Sequence, residues 1–193
     1  LHQWVAVYDI VSSYPNQIRS FNMSPETILS DRDTPEELMR LAEKFKFVYS
    51  SDGNRDKDKC PTDDIEEIEY ASKLLEKYNV CWSANGHFFK KDQEGIIASI
   101  YSRIFNERVK LKKIAGQYKR EGNPEARSYD LAQQALKILL NSGYGAMSNK
   151  HFRYFDIRIA SAITTNGQTC CRGVSKYIEK KIPLLKCVYN DTD

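Results

Sequence analysis

Glu121-Gly122-Asn123-Pro124-Glu125 interrupts an otherwise helical sequence and decides how the middle of the chain folds. Glycine and proline are both unfavourable inside a helix, so helices on either side should end here. The sequence before the break predicts a helix from about Glu94 to Lys119, and the sequence after it predicts another from about Ala126 to Leu140. Helices joined by so short a connection pack side by side. The sequence therefore predicts an antiparallel helical hairpin.

Apolar segments near the two ends of the chain predict strands that deliver carboxylates. Trp4-Val5-Ala6-Val7-Tyr8 is β-branched and aromatic, which is typical of a buried strand, and it runs into Asp9. Leu184 to Tyr189 has the same character and runs into Asn190-Asp191-Thr192-Asp193. We expect these two strands to be antiparallel neighbours.

Four more elements complete the predicted α+β fold, an antiparallel sheet with packed helices plus the two-helix hairpin. Asn85-Gly86 separates two short apolar stretches and predicts a β-hairpin over residues 80–89. A capping box at Thr34 and Glu37, with proline at the first helical position, predicts a helix to about Phe45. Helices are also predicted over 63–78 and 158–181.

Composition sets only broad limits on function. The chain has 193 residues, 41% of them apolar and 28% charged, which is typical of a soluble globular protein. No apolar run approaches the roughly 20 residues that span a bilayer, so we expect no membrane partner and a cytoplasmic location. The five cysteines show no CxxC spacing, which argues against a zinc site or a disulfide framework. Because the chain begins at Leu1 and stops after Asp193, we expect an incomplete fragment of a longer protein.

Positive charge is concentrated on the first arm of the predicted hairpin. Between residues 101 and 120 there are seven basic side chains and one acidic one. Arg108 lies 14.5 positions before the centre of the turn and Lys137 lies 14.5 positions after it. At a rise of about 1.5 Å per residue, both would stand roughly 20 Å from the tip of the hairpin. Lys112 follows Arg108 at i+4, on the same stripe of the helix.

A second polar stripe follows Lys137, with Asn141 at i+4 and Tyr144 at i+7. If the two stripes face each other, the cations between them repel unless an anion joins them, and a polyphosphate suits arginine and lysine. The alternative is that the stripes face water on opposite sides of the hairpin, since the rotation of each helix is open at this point.

Asp9, Asp191 and Asp193 are the candidate metal ligands. Clustered carboxylates repel each other unless a cation lies between them, and hard divalent cations prefer oxygen ligands. Two such ions can stabilise the attacking and leaving oxygens of a phosphoryl transfer. The alternative is that these residues are surface acids that end two strands.

Three segments of the chain resemble, in order, the conserved motifs of family B DNA polymerases. The segment DIVSSYP at residues 9–15, continued by NMSPET at 22–27, resembles motif A. KILLNSGYG at 137–145 is similar to motif B, and YNDTD at 189–193 is similar to motif C. Three ordered motifs of this length are far more specific than one short pattern.

Further segments are similar to the replicative polymerases of tailed bacteriophages, and the resemblance covers nearly the whole chain. These segments are Asn85-Gly86 with Lys91-Asp92, Phe105-Asn106-Glu107-Arg108, and HFRYFD at residues 151–156.

The resemblance implies the palm and fingers portion of a replicative DNA polymerase. The implied palm comprises residues 1–93, with an inserted helical segment at about 31–79, and residues 146–193, ending within motif C. Residues 94–145 would form the fingers hairpin. The implied function is template-directed addition of deoxynucleotides to a primer 3′-hydroxyl by two-metal nucleotidyl transfer. The implied partners are primer-template DNA, deoxynucleoside triphosphates, the exonuclease and thumb regions of the polymerase, and replisome accessory proteins, in the cytoplasm of a host bacterium if a phage encodes the chain.

Two alternatives belong to other functional classes. The chain could be a non-catalytic nucleotide- or DNA-binding piece of a split or decayed polymerase, or a helical interaction module whose charged residues are only surface.

The resemblance also implies roles for individual residues around two Mg²⁺ ions. Asp9 and Asp193 would bind the ions together with the carbonyl of Ile10, and Asp191 would lie adjacent. The implied catalytic residues are Asp9, Asp191 and Asp193.

The substrate-binding residues implied by the resemblance lie on both sides of the site. Backbone amides of Ser12, Ser13 and Tyr14 would hold the triphosphate, and Tyr14 would also exclude a ribose 2′-hydroxyl. The remaining implied residues clamp the triphosphate or lie against the nascent base pair: Arg108, Lys112, Lys137 and Asn141 for the clamp, and Tyr144 and Gly145 for the base pair. Each has a simpler interpretation, such as Tyr14 in the core, Gly145 as a helix cap or Arg108 as a surface arginine.

Four residues depart from the family pattern. Asn190 stands where glycine is usual, and asparagine tolerates the left-handed conformation that such a turn uses. Ser13, Asn16 and Gly143 replace the usual leucine, serine and leucine, so we expect local differences in packing at these positions.

Overall fold

The computed structural model describes residues 4–44, 64–182 and 184–189. Within these ranges the chain forms six helices and one two-stranded antiparallel sheet. The elements in chain order are α1 (Ser13–Ser20), α2 (Glu36–Lys44), α3 (Ile65–Lys77), β1 (Val80–Trp82), β2 (Phe88–Lys90), α4 (Ile96–Arg120), α5 (Ala126–Met147) and α6 (Ile157–Lys181). In this part of the chain no helix is long and apolar enough to cross a membrane. The α+β class is confirmed.

The helical hairpin is confirmed, and α4 and α5 pack against each other more extensively than any other pair of elements. Gly122 takes a φ of 70°, a left-handed conformation that glycine adopts without strain and that ends α4. The second helix runs beyond its predicted end at Leu140 to Met147. Both of these side chains are buried in the main core, so packing extends α5 through a segment whose two glycines weaken it.

The predicted β-hairpin is also confirmed. Its strands pair with Cys81 opposite Phe89, and the Ser83 amide donates to the His87 carbonyl at 2.8 Å. Gly86 has a φ of 90°, which explains the Asn-Gly sequence at this turn.

The predicted capping box does not form at the start of α2. The Thr34 hydroxyl donates to the Ser30 carbonyl at 2.8 Å instead of accepting from the helix. The Glu37 carboxylate accepts from the Lys77 ammonium at 2.8 Å and from the Tyr78 hydroxyl at 2.9 Å. Glu37 therefore ties α2 to α3, because tertiary partners replace the local one.

Helices α3 and α6 begin at aspartates that cap them. Asp64 accepts from the amides of Glu66 and Glu67, and Asp156 accepts from the amide of Arg158. The predicted helix over 158–181 thus begins one residue earlier, at Ile157. Residue 63, where the helix over 63–78 is predicted to begin, lies outside the described residues. Residue 45, where the helix that begins near Thr34 is predicted to end, lies outside them as well.

The prediction of buried strands at the two ends is wrong for this chain. Residues 4–8 and 185–189 have no regular secondary structure, and Trp4 and Leu184 are 100% and 95% exposed. A strand is stabilised by hydrogen bonds to a neighbouring strand, and among the described residues no backbone hydrogen bond joins residues 4–8 to another segment. Apolar β-branched composition alone does not supply that partner.

The core has two parts. The main cluster lies where α1, α4, α5 and α6 meet, and its buried side chains are Ile18, Met23, Phe89, Ile97, Tyr101, Leu140, Met147, Ile159, Ala162 and Ile163. The smaller cluster lies beneath α2 and α3, beside the β-hairpin, and consists of Leu29, Leu38, Leu41, Leu74, Val80 and Phe88. Phe88 and Phe89 are neighbours on β2 and serve different clusters, so this strand joins the two parts.

Gly143 lets Tyr101 of α4 approach the backbone of α5. A Cβ atom at Gly143 would lie 2.0 Å from the Tyr101 hydroxyl oxygen and 3.0 Å from its ring carbon Cζ. The tyrosine side chain thus fills space beside a position where the resemblance leads one to expect leucine. Burial raises the pKa of Tyr101 to about 12. Its buried hydroxyl has no hydrogen-bond partner among the described residues.

We predict that Gly143→Ala destabilises the chain, whereas Gly116→Ala stabilises it. The new methyl group at 143 overpacks against Tyr101, at a cost of about 1–3 kcal/mol. Gly116 is also inside a helix, but a Cβ there meets nothing within 4 Å. That substitution should add about 0.5–1 kcal/mol through helix propensity. Urea unfolding of both variants measures the difference, and equal free energies of unfolding would contradict the close packing at Gly143.

Candidate functional site

The chain enters α1 through a left-handed residue. Ser12 has φ 54° and ψ 51°, which is uncommon for a residue with a side chain. Two hydrogen bonds hold this turn: the Asn16 amide donates to the Ser12 carbonyl at 3.0 Å, and the Asn16 side-chain amide donates to the Val11 carbonyl at 2.8 Å. The first amides of a helix lack intrahelical partners and attract anions. Those of Ser13 and Tyr14 occupy this position in α1.

Arg108 connects the start of α1 to α4. Its guanidinium Nη1 donates to the Ser12 hydroxyl at 3.1 Å, across 96 residues of sequence. Its Nε is buried and has no hydrogen-bond partner in the described part of the chain. Among the described residues, the half-buried Arg108 side chain makes one hydrogen bond, to a neutral hydroxyl, and no ion pair, so most of its five donors remain available to an anion. The Arg108 guanidinium therefore lies beside the N-terminus of α1, the end of the helix that attracts anions.

Arg19 makes a second connection between α1 and α4. Its guanidinium lies 4.1 Å from the centre of the Phe105 ring, and its Nε donates to the Ser102 hydroxyl at 3.3 Å. Its Nη1 donates to the side-chain oxygen of Asn16 at 3.2 Å. Asn16, which departs from the family pattern, therefore links α4 to the Ser12 turn through Arg19.

A cavity of about 440 Å³ opens between α4 and α5. The side chains that line it include the four predicted clamp residues, and the full set is Arg108, Lys112, Gln133, Gln134, Lys137, Ile138 and Asn141. No carboxylate belongs to this lining within the described residues. The two polar stripes therefore border a common cavity. The lining thus carries three basic side chains and, among the described residues, no acidic one, which favours an anionic ligand over a neutral one.

Gln133 and Gln134 line the cavity but were not predicted. They precede Lys137 by four and three positions, so counting backward along the same helical stripe would have found them. Their side-chain amides donate to the two carboxylate oxygens of Asp130, at 2.9 Å and 2.8 Å. Asp130 thereby holds both glutamines in place on α5.

Tyr14 and Tyr144 contact each other at the edge of the main core. Their ring centres are 4.7 Å apart with an angle of 53° between the planes, and both side chains are half-buried. A Cβ atom at Gly167 of α6 would lie 3.8 Å from the Tyr14 ring, so α6 supports this ring from behind. Gly145 is exposed, lies inside α5 and therefore does not cap it.

The predicted metal ligands are only partly described. Asp9 is exposed, in a segment without regular structure, and Ile10 is half-buried. Asp191 and Asp193 lie outside the described residues, as does Asn190, and the pairing of Asp9 with Asp193 stays a prediction. Among the described residues no group of three or more His, Cys, Asp or Glu side chains could hold a metal. Carboxylate and carbonyl oxygens are nevertheless the donors that Mg²⁺ prefers.

Comparisons with known proteins point to a single family. The sequence model of "DNA polymerase family B" matches residues 1–193. The DNA-directed DNA polymerase of Escherichia phage RB69 is 30% identical over 94% of this chain, and DNA polymerase 1 of Sulfolobus acidocaldarius is 28% identical over 98% of it. The family B DNA polymerase of Pyrobaculum calidifontis shares the fold, with a TM-score of 0.62, 23% identity and 94% of this chain covered.

These proteins are much longer than the chain. It spans 22% of the phage polymerase, 17% of the Sulfolobus polymerase and 18% of the Pyrobaculum structure. The similarity therefore concerns about a fifth of each protein.

We predict that inorganic tripolyphosphate binds in the cavity between α4 and α5, with an affinity that falls as salt is added. Lys112→Ala should weaken binding about tenfold or more, because a hydrogen bond to a charged group contributes roughly 1.5–3 kcal/mol. Lys110→Ala is the matched control: Lys110 lies on the same helix, pairs with Glu107 at 3.9 Å and does not line the cavity. Isothermal titration calorimetry measures both, and an equal effect of the two variants would contradict binding in the cavity.

Proposed function

The chain belongs to DNA polymerase family B, and from this we propose that it forms the palm and fingers of a polymerase that extends a DNA primer along a template. The observation that carries the proposal is the cation-lined cavity between α4 and α5, which Arg108 connects to the start of α1. In this assignment residues 1–93 and 146–193 form the palm, with residues 31–79 inserted. Residues 94–145 form the fingers.

The triphosphate of the incoming deoxynucleotide is held from two sides. Amides of Ser12, Ser13 and Tyr14 bind it at the start of α1, and the cavity side chains bind it from the fingers. Those side chains are Arg108, Lys112, Lys137 and Asn141. Neutralising three cations that repel one another is favourable, and this supports a polyphosphate rather than a neutral ligand. The Ser12 hydroxyl orients Arg108 before the nucleotide arrives.

The reaction joins the primer to the α-phosphate and releases pyrophosphate. The primer 3′-oxygen forms the new P–O bond while the bond to the β-phosphate bridging oxygen breaks. The chain contributes mainly by positioning the reactants and by stabilising negative charge, as in other phosphoryl transfers. Lys137 and Arg108 stabilise the charge that builds on the departing pyrophosphate.

Asp9 and Asp193, with the carbonyl of Ile10, are the proposed ligands of two Mg²⁺ ions, and Asp191 is proposed to lie adjacent as the third catalytic carboxylate. When bound, such ions neutralise charge on the attacking and leaving oxygens. The proposal rests on the chemistry of the oxygen donors and on the order of the motifs.

The Tyr14 and Tyr144 rings lie beneath the sugar and base of the bound nucleotide. The contact of Tyr14 with Tyr144 and the support of α6 fix the Tyr14 ring, so it stands as a rigid barrier to a 2′-hydroxyl. Tyr144 and the exposed Gly145 lie against the nascent base pair. A glycine at this position lets the pair approach the backbone of α5 closely.

The partners that follow from this proposal are primer-template DNA, deoxynucleoside triphosphates, the exonuclease and thumb regions of the polymerase, and replisome accessory proteins. The site of action is the cytoplasm, that of a host bacterium if the gene is carried by a phage.

We predict that Tyr14→Ala in the full-length polymerase admits ribonucleotides. Removal of the ring opens the space that a 2′-hydroxyl needs, so discrimination by a steric clash is lost. Ribonucleotide incorporation relative to deoxynucleotide incorporation, measured on one primer-template, should rise by about tenfold or more. Tyr154→Ala serves as the control, because Tyr154 is an exposed tyrosine whose ring contacts Phe152. An unchanged ratio in Tyr14→Ala would leave Tyr14 as a core residue only.

We predict that Lys137→Ala in the full-length polymerase weakens nucleotide use by about tenfold to a hundredfold, as expected for the loss of one charge-assisted hydrogen bond. Affinity for primer-template DNA should barely change. Steady-state kinetics with varied deoxynucleotide, alongside a DNA-binding titration, separate the two effects.

Loss of DNA affinity without loss of nucleotide affinity would make Lys137 a contact to the DNA backbone. Nucleotide binding by the wild-type protein without any primer extension would favour the non-catalytic alternative.

A further inference from the structure

The first amides of α4 are capped by a loop about seventy residues earlier in the chain. The N-cap residue of α4, Gly95, offers no side-chain cap. The Gly95 amide donates to the Asn22 side-chain oxygen at 2.8 Å, and the Ile97 amide donates to the Ser24 hydroxyl at 3.2 Å. The Ile96 amide between them donates to the Glu26 carboxylate. Three consecutive amides thus find acceptors on one loop.

The capping loop, residues 22–26, is itself held rigidly. The Thr27 hydroxyl donates to the Asn22 carbonyl at 2.6 Å and accepts from the Ser24 amide at 3.1 Å. The Asn22 side-chain amide donates to the Lys90 carbonyl at 2.7 Å, which joins the loop to β2. Ser24 and Thr27 are completely buried. The base of α4 therefore rests on a fixed support.

Gly95 brings the loop and the helix into direct contact. A Cβ atom at this position would lie 2.5 Å from the Ser24 Cβ and 3.1 Å from the Thr27 Cγ2. Any larger residue would push the capping loop away from the helix. Since Gly95 has an ordinary φ of −68°, close approach is the reason for glycine here.

Glu26 is well suited to this role. Its second carboxylate oxygen accepts from the Ser24 hydroxyl at 2.8 Å, so it supports a neighbouring cap residue as well. A carboxylate at a helix N-terminus also interacts favourably with the helix dipole. Burial raises the pKa of Glu26, but its hydrogen bonds to the Ile96 amide and Ser24 lower it by more, so the group stays ionised.

We infer that the capping loop sets the orientation of α4 and that Glu26 is a positioning residue for the nucleotide clamp. The inference rests on the function proposed above. The loop follows α1 directly, so the two halves of the proposed triphosphate site, the start of α1 and the cations of α4, have a common support. Arg108 is twelve residues beyond Ile96, or about 18 Å along the helix axis. A tilt of about 10° at the base would move Arg108 by about 3 Å, and a misplacement of about 1 Å already costs an active site much of its rate.

The test compares Glu26→Ala, Glu26→Gln and Ser24→Ala in the full-length polymerase. Glu94→Ala is the control, because it removes the same charge beside the same helix end but, among the described residues, caps no amide of α4. The measurements are KM and kcat for deoxynucleotides, the dissociation constant for primer-template DNA, and hydrogen exchange of the amides at residues 95–97. In Glu26→Ala we expect faster exchange and a KM raised about tenfold or more, with DNA affinity unchanged.

Glu26→Gln retains an acceptor oxygen, so it should keep most of the nucleotide affinity that Glu26→Ala loses. Ser24→Ala should raise KM severalfold, which is a smaller effect than that of Glu26→Ala. Faster exchange with unchanged KM in both Glu26→Ala and Ser24→Ala would overturn the positioning role and leave the proposed function intact. If Glu94→Ala raised KM as much as Glu26→Ala, the effect would be due to charge alone, and the positioning role of Glu26 would be overturned as well. A wild-type protein that uses no deoxynucleotide would instead overturn the proposed function itself.

Discussion

The first amides of a helix need acceptors from outside it, and for α4 all of those described come from the loop that leaves α1. This requirement links a long helix with a segment distant in sequence, and much of the architecture depends on it. Once the base of α4 is fixed, packing against α5 places the hairpin, and Tyr101 and Leu140 reach the main core. Arg19 and Arg108 then join α4, farther along its length, to α1 and to the Ser12 turn that precedes α1. Each contact is weak alone, but all of them hold the same helix, α4, and together they fix its orientation.

The cavity between α4 and α5 has a basic lining. Lys112 and Lys137 face a space whose described lining includes no carboxylate, although acidic residues are plentiful elsewhere in the sequence. Asp130, the nearest acid named at this site, is engaged by two glutamines rather than by the cations. Basic side chains grouped without a paired acid favour an anionic ligand over a neutral one, and this is the physical ground of the proposed triphosphate clamp. Ser12, whose hydroxyl accepts from Arg108, has a left-handed backbone conformation. Strained conformations of this kind are common at functional sites.

Features that depend on neighbouring residues were predicted well from the sequence, and features that depend on distant partners were not. Asn85-Gly86 and Gly122 fix the backbone by their own conformational preferences, so both turns were correct. Thr34 and Glu37 fit a capping box, but Lys77 and Tyr78 compete for the glutamate from another helix. The ends of the chain have strand composition without a described partner. Counting along helices placed Arg108 and Lys137 at one cavity, whereas the role of Glu26 needed the position of a helix seventy residues away.

The closeness of Tyr101 to Gly143 limits how the two positions can change during evolution. Because a Cβ at 143 would collide with the tyrosine hydroxyl, any residue larger than glycine there becomes acceptable only after Tyr101 has been shortened or has moved. Substitutions at contacting positions are not additive, so the order in which they arise matters. A lineage that replaced Tyr101 first would carry a small cavity for a time, while one that replaced Gly143 first would pass through a clash. The two positions should therefore vary together among descendants of this sequence, with tyrosine and glycine inherited as a pair.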